Sequence, residues 1–366
     1  MVEFDDIGPE KILQVYDPKT GMKGITVIDN TVRGPAKGGI RMTPTVDVDE
    51  VARLARAMTL KCALMELPFG GGKSGIIADG KNIDPKKKEE IVKAFANALK
   101  QFCPDIYVAA PDMYMGEKEM DLFAKTNGDM KSITGKSKEL GGLPHELGST
   151  GFGVHLAALV GLEHLGIDVK GATVAIEGFG NVGWFAAKFM AEKGAKLIAV
   201  SDSKGVIYNP NGLNFEVLDK VKKEERTVTA YKDGKIISVD ELLALDADVL
   251  ITAAVPDLFD HSHVEKMKFK LIVQGSNIPT SPEVEEELHK KGVLVIPDFV
   301  ANAGGVISSY VEYIEGTEKE MFFMVEEKIV KNTKIVLSRA KKESIKPRDA
   351  AFKIAKERIK NESKAG

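Results

Sequence analysis

The chain has 366 residues, 43% of them apolar and 29% charged, with a formal net charge of −3. That length accommodates two domains, and a slightly acidic balance argues against a general nucleic-acid binder, which would present a basic face. No apolar run approaches the about 20 residues that span a bilayer, and the N-terminus MVEFDDIGPEK has no signal-peptide core, so a cytoplasmic protein with no membrane partner is expected.

ILQVY (12–16) and GITVI (24–28) read as strands joined by the turn Asp17-Pro18-Lys19-Thr20-Gly21. RGPAKGGIR (33–41) is glycine-rich and doubly basic, and no strand is assigned to it. A helix is expected from about Val48 to Lys61, capped by Asp47 or Asp49, with Val51, Ala55, Met58 and Leu60 at helical spacing. LPFGGGKSG (67–75) reads as a loop carrying one lysine among glycines. Residues 84–101 form an amphipathic helix with Ile91, Val92, Phe95, Ala98 and Leu99 on one face. A strand from Ile106 to Ala110 delivers Ala110-Pro111-Asp112-Met113 into a loop. Residues 135–153, rich in turn formers, read as the passage between domains and a hinge, and 154–165 as a helix.

The stretch TVAIEGFGNVGWFAAKFMAEKGAKLIAVSD (173–202) is the most informative. A β-branched strand, the turn Gly178-Phe179-Gly180-Asn181-Val182-Gly183, a helix, a second strand and then Asp202 follow one another at the spacing of a dinucleotide-binding unit. Gly178 permits the tight turn, Gly180 lets the backbone approach a pyrophosphate, and Gly183 lets helix and strand pack closely. The helix N-terminus presents N–H groups to the phosphates, and the Asp202 carboxylate accepts from ribose hydroxyls. Beyond it, a hairpin is expected over 227–238 about Asp233-Gly234. Strands are expected at 249–252, 271–274 and 293–296, and helices at 281–291, 306–315, 317–342 and 347–361. The alternation indicates an α/β fold, a mostly parallel sheet with helices on both faces.

Cys62 and Cys103 have neither metal-ligand spacing nor a disulfide framework; they read as thiols in a reducing compartment, and no metal site is expected. Three lysines stand out: Lys37 before Gly38-Gly39, Lys61 at a helix end between apolar runs, and Lys73 after Gly70-Gly71-Gly72. Partial burial of Lys73 would lower its pKa towards neutrality, which suits an acid–base group. A buried lysine needs an anion, and a substrate carboxylate is one. Asp112, straight after a strand, reads either as a turn former or as a proton acceptor for an amine. Ser309, within an apolar helix, reads on its own as a back-bonded hydroxyl.

Together, RGPAKGGIR, MTLKCALMELPFGGGKSG, APDM, GFGNVG, VQGSNIPTSPEV and IPDFVANAGGVISSYVE resemble the glutamate/leucine/phenylalanine/valine dehydrogenase family, from about Gly24 to Glu312. The resemblance implies an N-terminal α/β substrate-binding and oligomerisation domain (1–145) and a Rossmann-like NAD(P)-binding domain (146–316). C-terminal helices (317–366) would return towards the first domain, with catalysis in a cleft that closes by domain rotation. Position by position, Lys73 matches the lysine that polarises the carbonyl and activates water, and Asp112 the carboxylate that exchanges protons with the amine. Lys61 matches the lysine that pairs with the substrate α-carboxylate. Lys37 and Ser309 match positions that hold a side-chain carboxylate in glutamate-specific members, and Gly38 and Met58 fall in the same substrate region. Thr150, Ala253, Ala254, Asn277 and Asn302, with Phe179, Val182, Asp202 and Ser203, match the cofactor side.

The family resemblance leaves the amino acid open. Leucine-type relatives are apolar where Lys37 stands, so glutamate and 2-oxoglutarate are expected, although QVYDPKTGMKGITVIDN (14–30) looks more leucine-like. Leucine, other branched-chain or phenylalanine activity is the alternative, and a non-enzymatic nucleotide-sensing paralogue the distant one. Asp202 favours NAD over NADP by repelling a 2′-phosphate, while Ser201, Ser203 and Lys204 beside it offer that phosphate a seat. A homo-oligomer is implied, hexameric in the family, with dimer or octamer as alternatives.

Overall fold

The computed structural model describes residues 2–365. The chain forms two compact units: Met1–Leu147 with Val306–Met321 and Phe352–Gly366, and Gly148–Gly305 with Phe322–Ala351. Among the described residues no helix is long and apolar enough to cross a membrane.

In the first unit β1 (Lys11–Asp17) and β2 (Met22–Asn30) form the expected antiparallel pair, its turn closed by the Asp17 carboxylate accepting from the Thr20 backbone N–H at 2.9 Å. β3 (Ala36–Thr43), α1 (Val48–Leu64), β4 (Gly70–Ile77), α2 (Pro85–Ala98), β5 (Tyr107–Pro111) and α3 (Glu117–Asn127) follow, in a sheet ordered β1-β2-β4-β3-β5. Asp47 is the cap of α1, accepting from the Glu50 N–H, and Val51, Ala55 and Leu60 are buried whereas Met58 is half-buried. Ile91, Val92 and Phe95 of α2 pack with Phe123 and Tyr107 into the core of the sheet.

Both glycine-rich basic stretches are therefore adjacent parallel strands, which corrects the loop reading of 67–75. Strand propensity rests on β-branched and aromatic side chains, and in these two strands only Ile40, Thr43, Ile76 and Ile77 are of that kind. Their glycines meet a different demand, close backbone approach. A Cβ on Gly71 would lie 2.1 Å from the backbone nitrogen of Thr59 in α1, and one on Gly38 would lie 1.7 Å from the Gly72 carbonyl oxygen.

The second unit opens on α4 (Ser149–Leu165), which starts five residues before the expected Val154. Its early glycines read as breakers, yet Gly151 is packed so tightly that a Cβ would lie 2.6 Å from the Val182 carbonyl oxygen. β6 (Thr173–Glu177), α5 (Asn181–Glu192), β7 (Lys196–Asp202), β8 (Gly205–Tyr208), α6 (Phe215–Glu225) and β9 (Lys235–Ile237) come next. Then follow α7 (Val239–Leu243), β10 (Val249–Thr252), α8 (His261–Val264), β11 (Leu271–Gln274), α9 (Pro282–Lys290), β12 (Leu294–Ile296) and α10 (Asp298–Ala301). The sheet order is β12-β11-β10-β6-β7-β8-β9, parallel up to β7 and antiparallel beyond. The hairpin expected over 227–238 does not form. Val228 donates its N–H to the Asp202 carboxylate at 2.8 Å, which draws 228–230 into a single 3₁₀ turn, and β9 pairs with β8 instead.

The helices α11 (Gly304–Tyr313), α12 (Glu318–Glu343) and α13 (Pro347–Ala365) each contribute to both units. In the second, Phe322 packs edge-on against Phe152 at 5.0 Å, and Arg348 pairs with Glu285 at 2.7 Å and Asp298 at 3.0 Å. In the first, Arg358 donates to the Leu64 carbonyl oxygen and Glu362 pairs with Arg33 at 2.8 Å.

Candidate active site

Strands β4, β3 and β5 lie side by side, with Lys37 paired to Gly71, Arg41 to Gly75, and Gly39 to Ala110. Lys73 therefore falls level with Gly39, and Asp112 follows β5 level with Arg41. Because side chains alternate across a sheet, Lys37, Arg41, Lys73 and Asp112 share one face. Lys73 Nζ lies 2.6 Å from Asp112 Oδ2, and the Arg41 guanidinium reaches the same oxygen at 3.1 Å while its other end holds Glu50 of α1. Gly39 keeps this space open, since a Cβ there would stand 2.9 Å from the Asp112 Cβ and 3.2 Å from Lys73 Nζ.

The pair sits in low dielectric, with Lys73 only 9% exposed. Burial lowers the pKa of Lys73 below the ordinary lysine value, although Asp112 opposes the shift. Burial by itself would raise Asp112, but Lys73 and Arg41 outweigh it and hold the carboxyl below its usual value. The result is an ammonium group readied to give up its proton beside a carboxylate kept ionised. Nothing in the sequence alone marks Arg41, because the alternation Lys37, Gly39, Arg41 has meaning only once 36–43 is a strand.

Lys37 is 1% exposed. Its ammonium group donates to the Ala109 carbonyl oxygen at 2.9 Å and to Thr134 Oγ1 at 2.6 Å, both neutral. Burial lowers its pKa to about 7, with Glu312 acting in the opposite sense. Thr134 is a second group the sequence did not reveal: it lies 97 residues from Lys37, and a bridge between Ala109 and Ile133 brings it there. Lys61, in the last turn of α1, is half-buried, as is Met58 one turn earlier. Gly38 is buried beside Lys37 in β3, and Ser309 is half-buried on α11.

In the second unit the glycine turn divides by space. Gly178 has φ +94 and a Cβ would lie 2.6 Å from that of Ala254; one on Gly183 would lie 1.8 Å from the Gly178 carbonyl oxygen. A Cβ on Gly180 would meet nothing within 4 Å. Gly180 is also the N-cap of α5 and supplies no side-chain cap, and the helix opens beside free space at that turn. Those features fit a pyrophosphate. Phe179 is buried against Phe215 and Val182 is half-buried, so both support the turn. The Glu177 carboxylate accepts from the Ala253 and Ala254 N–H groups, fixing that loop beside the turn. Asn302 donates to Asn277 Oδ1 at 2.8 Å, and Thr150 approaches Gly305. Asp202 is less available than the sequence implies: Lys222 pairs with it at 2.6 Å, and the N–H groups of Lys204 and Val228 donate to it. Ser203 beside it is exposed.

The family described as Glutamate/Leucine/Phenylalanine/Valine dehydrogenase matches residues 141–366, and its companion, the Glu/Leu/Phe/Val dehydrogenase dimerisation domain, matches residues 9–128. The glutamate dehydrogenase of Aeropyrum pernix is 40% identical over 349 residues, covering 90% of this chain and 83% of that one. That of Thermotoga maritima is 40% identical over 351 residues, covering 92% and 84%. Among solved structures, the hetero-hexameric glutamate dehydrogenase from Thermus thermophilus in its Leu-bound form matches with a TM-score of 0.84 at 28% identity, over 97% of this chain and 89% of that one.

Proposed function

This chain belongs to the glutamate/leucine/phenylalanine/valine dehydrogenase family of NAD(P)-dependent amino-acid dehydrogenases, and from that premise we propose that it interconverts L-glutamate with 2-oxoglutarate and ammonium. The observation that carries the choice of glutamate is Lys37. A buried ammonium group with only neutral hydrogen-bond partners is costly, and a second substrate carboxylate supplies the missing anion. An aliphatic side chain would leave the cation unpaired.

In this reading Lys61 pairs with the α-carboxylate, and Lys37 takes the side-chain carboxylate, with Thr134 and Ser309 as hydroxyl partners. Asp112, held ionised by Lys73 and Arg41, accepts a proton from the substrate ammonium so that the amine is neutral when its α-hydrogen leaves. NAD(P), when bound, supplies the hydride acceptor, and the residues of the glycine turn with Thr150, Ala253, Ala254, Asn277 and Asn302 would hold it. Lys73, in the neutral amine form that burial favours, takes a proton from water as that water adds to the resulting iminium carbon. Lys73 returns that proton to the nitrogen; the C–N bond then breaks as the carbinolamine hydroxyl gives its proton to Lys73, and that second proton passes to the departing ammonia, so that ammonium and the 2-oxo acid are released.

For the cofactor we infer a preference for NAD, since a carboxylate at Asp202 would repel a 2′-phosphate, with NADP also accepted because Lys222 compensates much of that charge. A cytoplasmic homo-oligomer is our reading of the assembly. The two free cysteines suit a reducing compartment, and the Thermus thermophilus relative is a hetero-hexamer, which supports an oligomer of this chain size. The test is a panel of glutamate, leucine, valine and phenylalanine with each cofactor, followed by nicotinamide absorbance. Glutamate is expected to have the highest kcat/KM, and faster turnover of leucine overturns the assignment. Light scattering on the eluted protein reads the assembly.

A further inference from the structure

We propose that Glu312 is a positioning residue for the side-chain-carboxylate subsite, pinning the segment that carries Thr134 to the helix that carries Ser309 and facing Lys37 with its charge. Glu312 lies on α11 three residues after Ser309, on the same helical face. Its Oε1 accepts from the Lys136 backbone N–H at 3.2 Å and pairs with Lys136 Nζ at 3.0 Å, and its Oε2 accepts from the Leu143 N–H at 3.1 Å. One carboxylate thus fastens both ends of 136–143, and the chain just before that segment is Thr134, the hydroxyl partner of Lys37. The side chain of Glu312 is 2% exposed and that of Lys136 8%. A carboxylate with three donors in such a setting is rigid, and removing it would loosen the Thr134 wall.

The charged and titratable groups that act on Lys37 come from four elements: Glu312 on α11, Cys62 on α1, Lys136 in the pinned segment and Lys73 on β4. Glu312 heads the groups that favour the protonated form, whereas both lysines oppose it. Glu312 therefore does two things for the subsite, holding its hydroxyl in place and helping Lys37 remain an ammonium group until a carboxylate arrives.

This inference rests on the glutamate reading, so its test includes a readout that needs no substrate. The full-length enzyme is compared with Glu312→Gln and with Lys136→Met/Glu312→Gln, which leaves no unpaired buried ammonium at 136. In both variants the KM for glutamate is expected to rise about tenfold, with kcat and the KM for NAD changing far less. In [13Cε]lysine spectra, with Lys37 assigned from Lys37→Met, its titration midpoint is expected to move to lower pH, further in Glu312→Gln. An unchanged Lys37 midpoint in both variants, or equal rises in both KM values, overturns the inference. A wild-type enzyme inactive on glutamate would sink the functional reading, while the titration would still decide this one.

Discussion

At the scale of single residues, the proposed chemistry rests on two lysines, Lys73 and Lys37, whose burial lowers their pKa. Lys73 is paired with Asp112, so Asp112→Asn removes the counter-charge of a buried ammonium group and, in the proposed mechanism, the proton acceptor. The expected outcome is a fall in kcat of about 10²- to 10⁴-fold with a smaller change in the KM for glutamate, read from steady-state rates. Lys37 bears a different signature. Its folded pKa of about 7 lies below the about 10.4 of an unfolded lysine, so above pH 7 the unfolded chain binds more protons and stability rises with pH through that window. Binding of a carboxylate, by contrast, needs the protonated form. The kcat/KM for glutamate should therefore begin to fall above about pH 7. Lys37→Met should melt higher than wild type at pH 6, by a margin that shrinks towards pH 10. A constant margin across that range would refute the assignment of the shift to Lys37. Lys222 is the residue to probe for cofactor choice: Lys222→Ala exposes the charge of Asp202, and the ratio of kcat/KM for NAD to that for NADP should rise.

At the scale of elements, the glycine turn separates packing from binding. Gly183→Ala puts a methyl group 1.8 Å from the Gly178 carbonyl oxygen, a clash that must move backbone, and should cost about 1–3 kcal/mol or more in denaturant unfolding. Gly180→Ala meets open space, so the melting temperature should hold while the KM for NAD rises; an unchanged KM would remove the turn from the cofactor site. The strand–turn–helix–strand unit around GFGNVG is legible in the sequence because its spacing, flanking strands and trailing acid are all local. AKGGIRMT and GGGKSGII were not read as strands because no apolar alternation marks them; their glycines answer to Thr59 and Gly72, which only the fold brings near. The hairpin over 227–238 failed for a related reason, since the Asp202 carboxylate captures Val228 from outside the window that a turn signal covers.

At the scale of the whole molecule, the chain's two units are interleaved in sequence, and the last helix matters to the first unit. Arg358 caps the carbonyl oxygen of Leu64, Glu362 pairs with Arg33, and Lys360 pairs with Asp6 at 2.7 Å. Ending the chain at Ala351 removes all three. The truncated protein should lose turnover and melt in two steps by calorimetry, the lower one from the first unit; a single transition at the wild-type temperature would show these contacts to be dispensable. Arg348, retained in that truncation, neutralises Glu285 and Asp298 in the second unit. Arg348→Met leaves both carboxylates without it and should cost about 3–5 kcal/mol.

The sequence by itself determined the dinucleotide unit, the α/β class and the family resemblance, because each is written in residues close together along the chain. It also marked Lys37, Lys61, Lys73 and Asp112 as candidates. Only the tertiary structure decided that Lys73, Arg41 and Asp112 meet on one oxygen, that Thr134 receives Lys37, and that Glu312 pins the segment beside it. Those arrangements depend on strand register and on burial, which lowers the dielectric around a charge, and both arise from residues far apart in the chain.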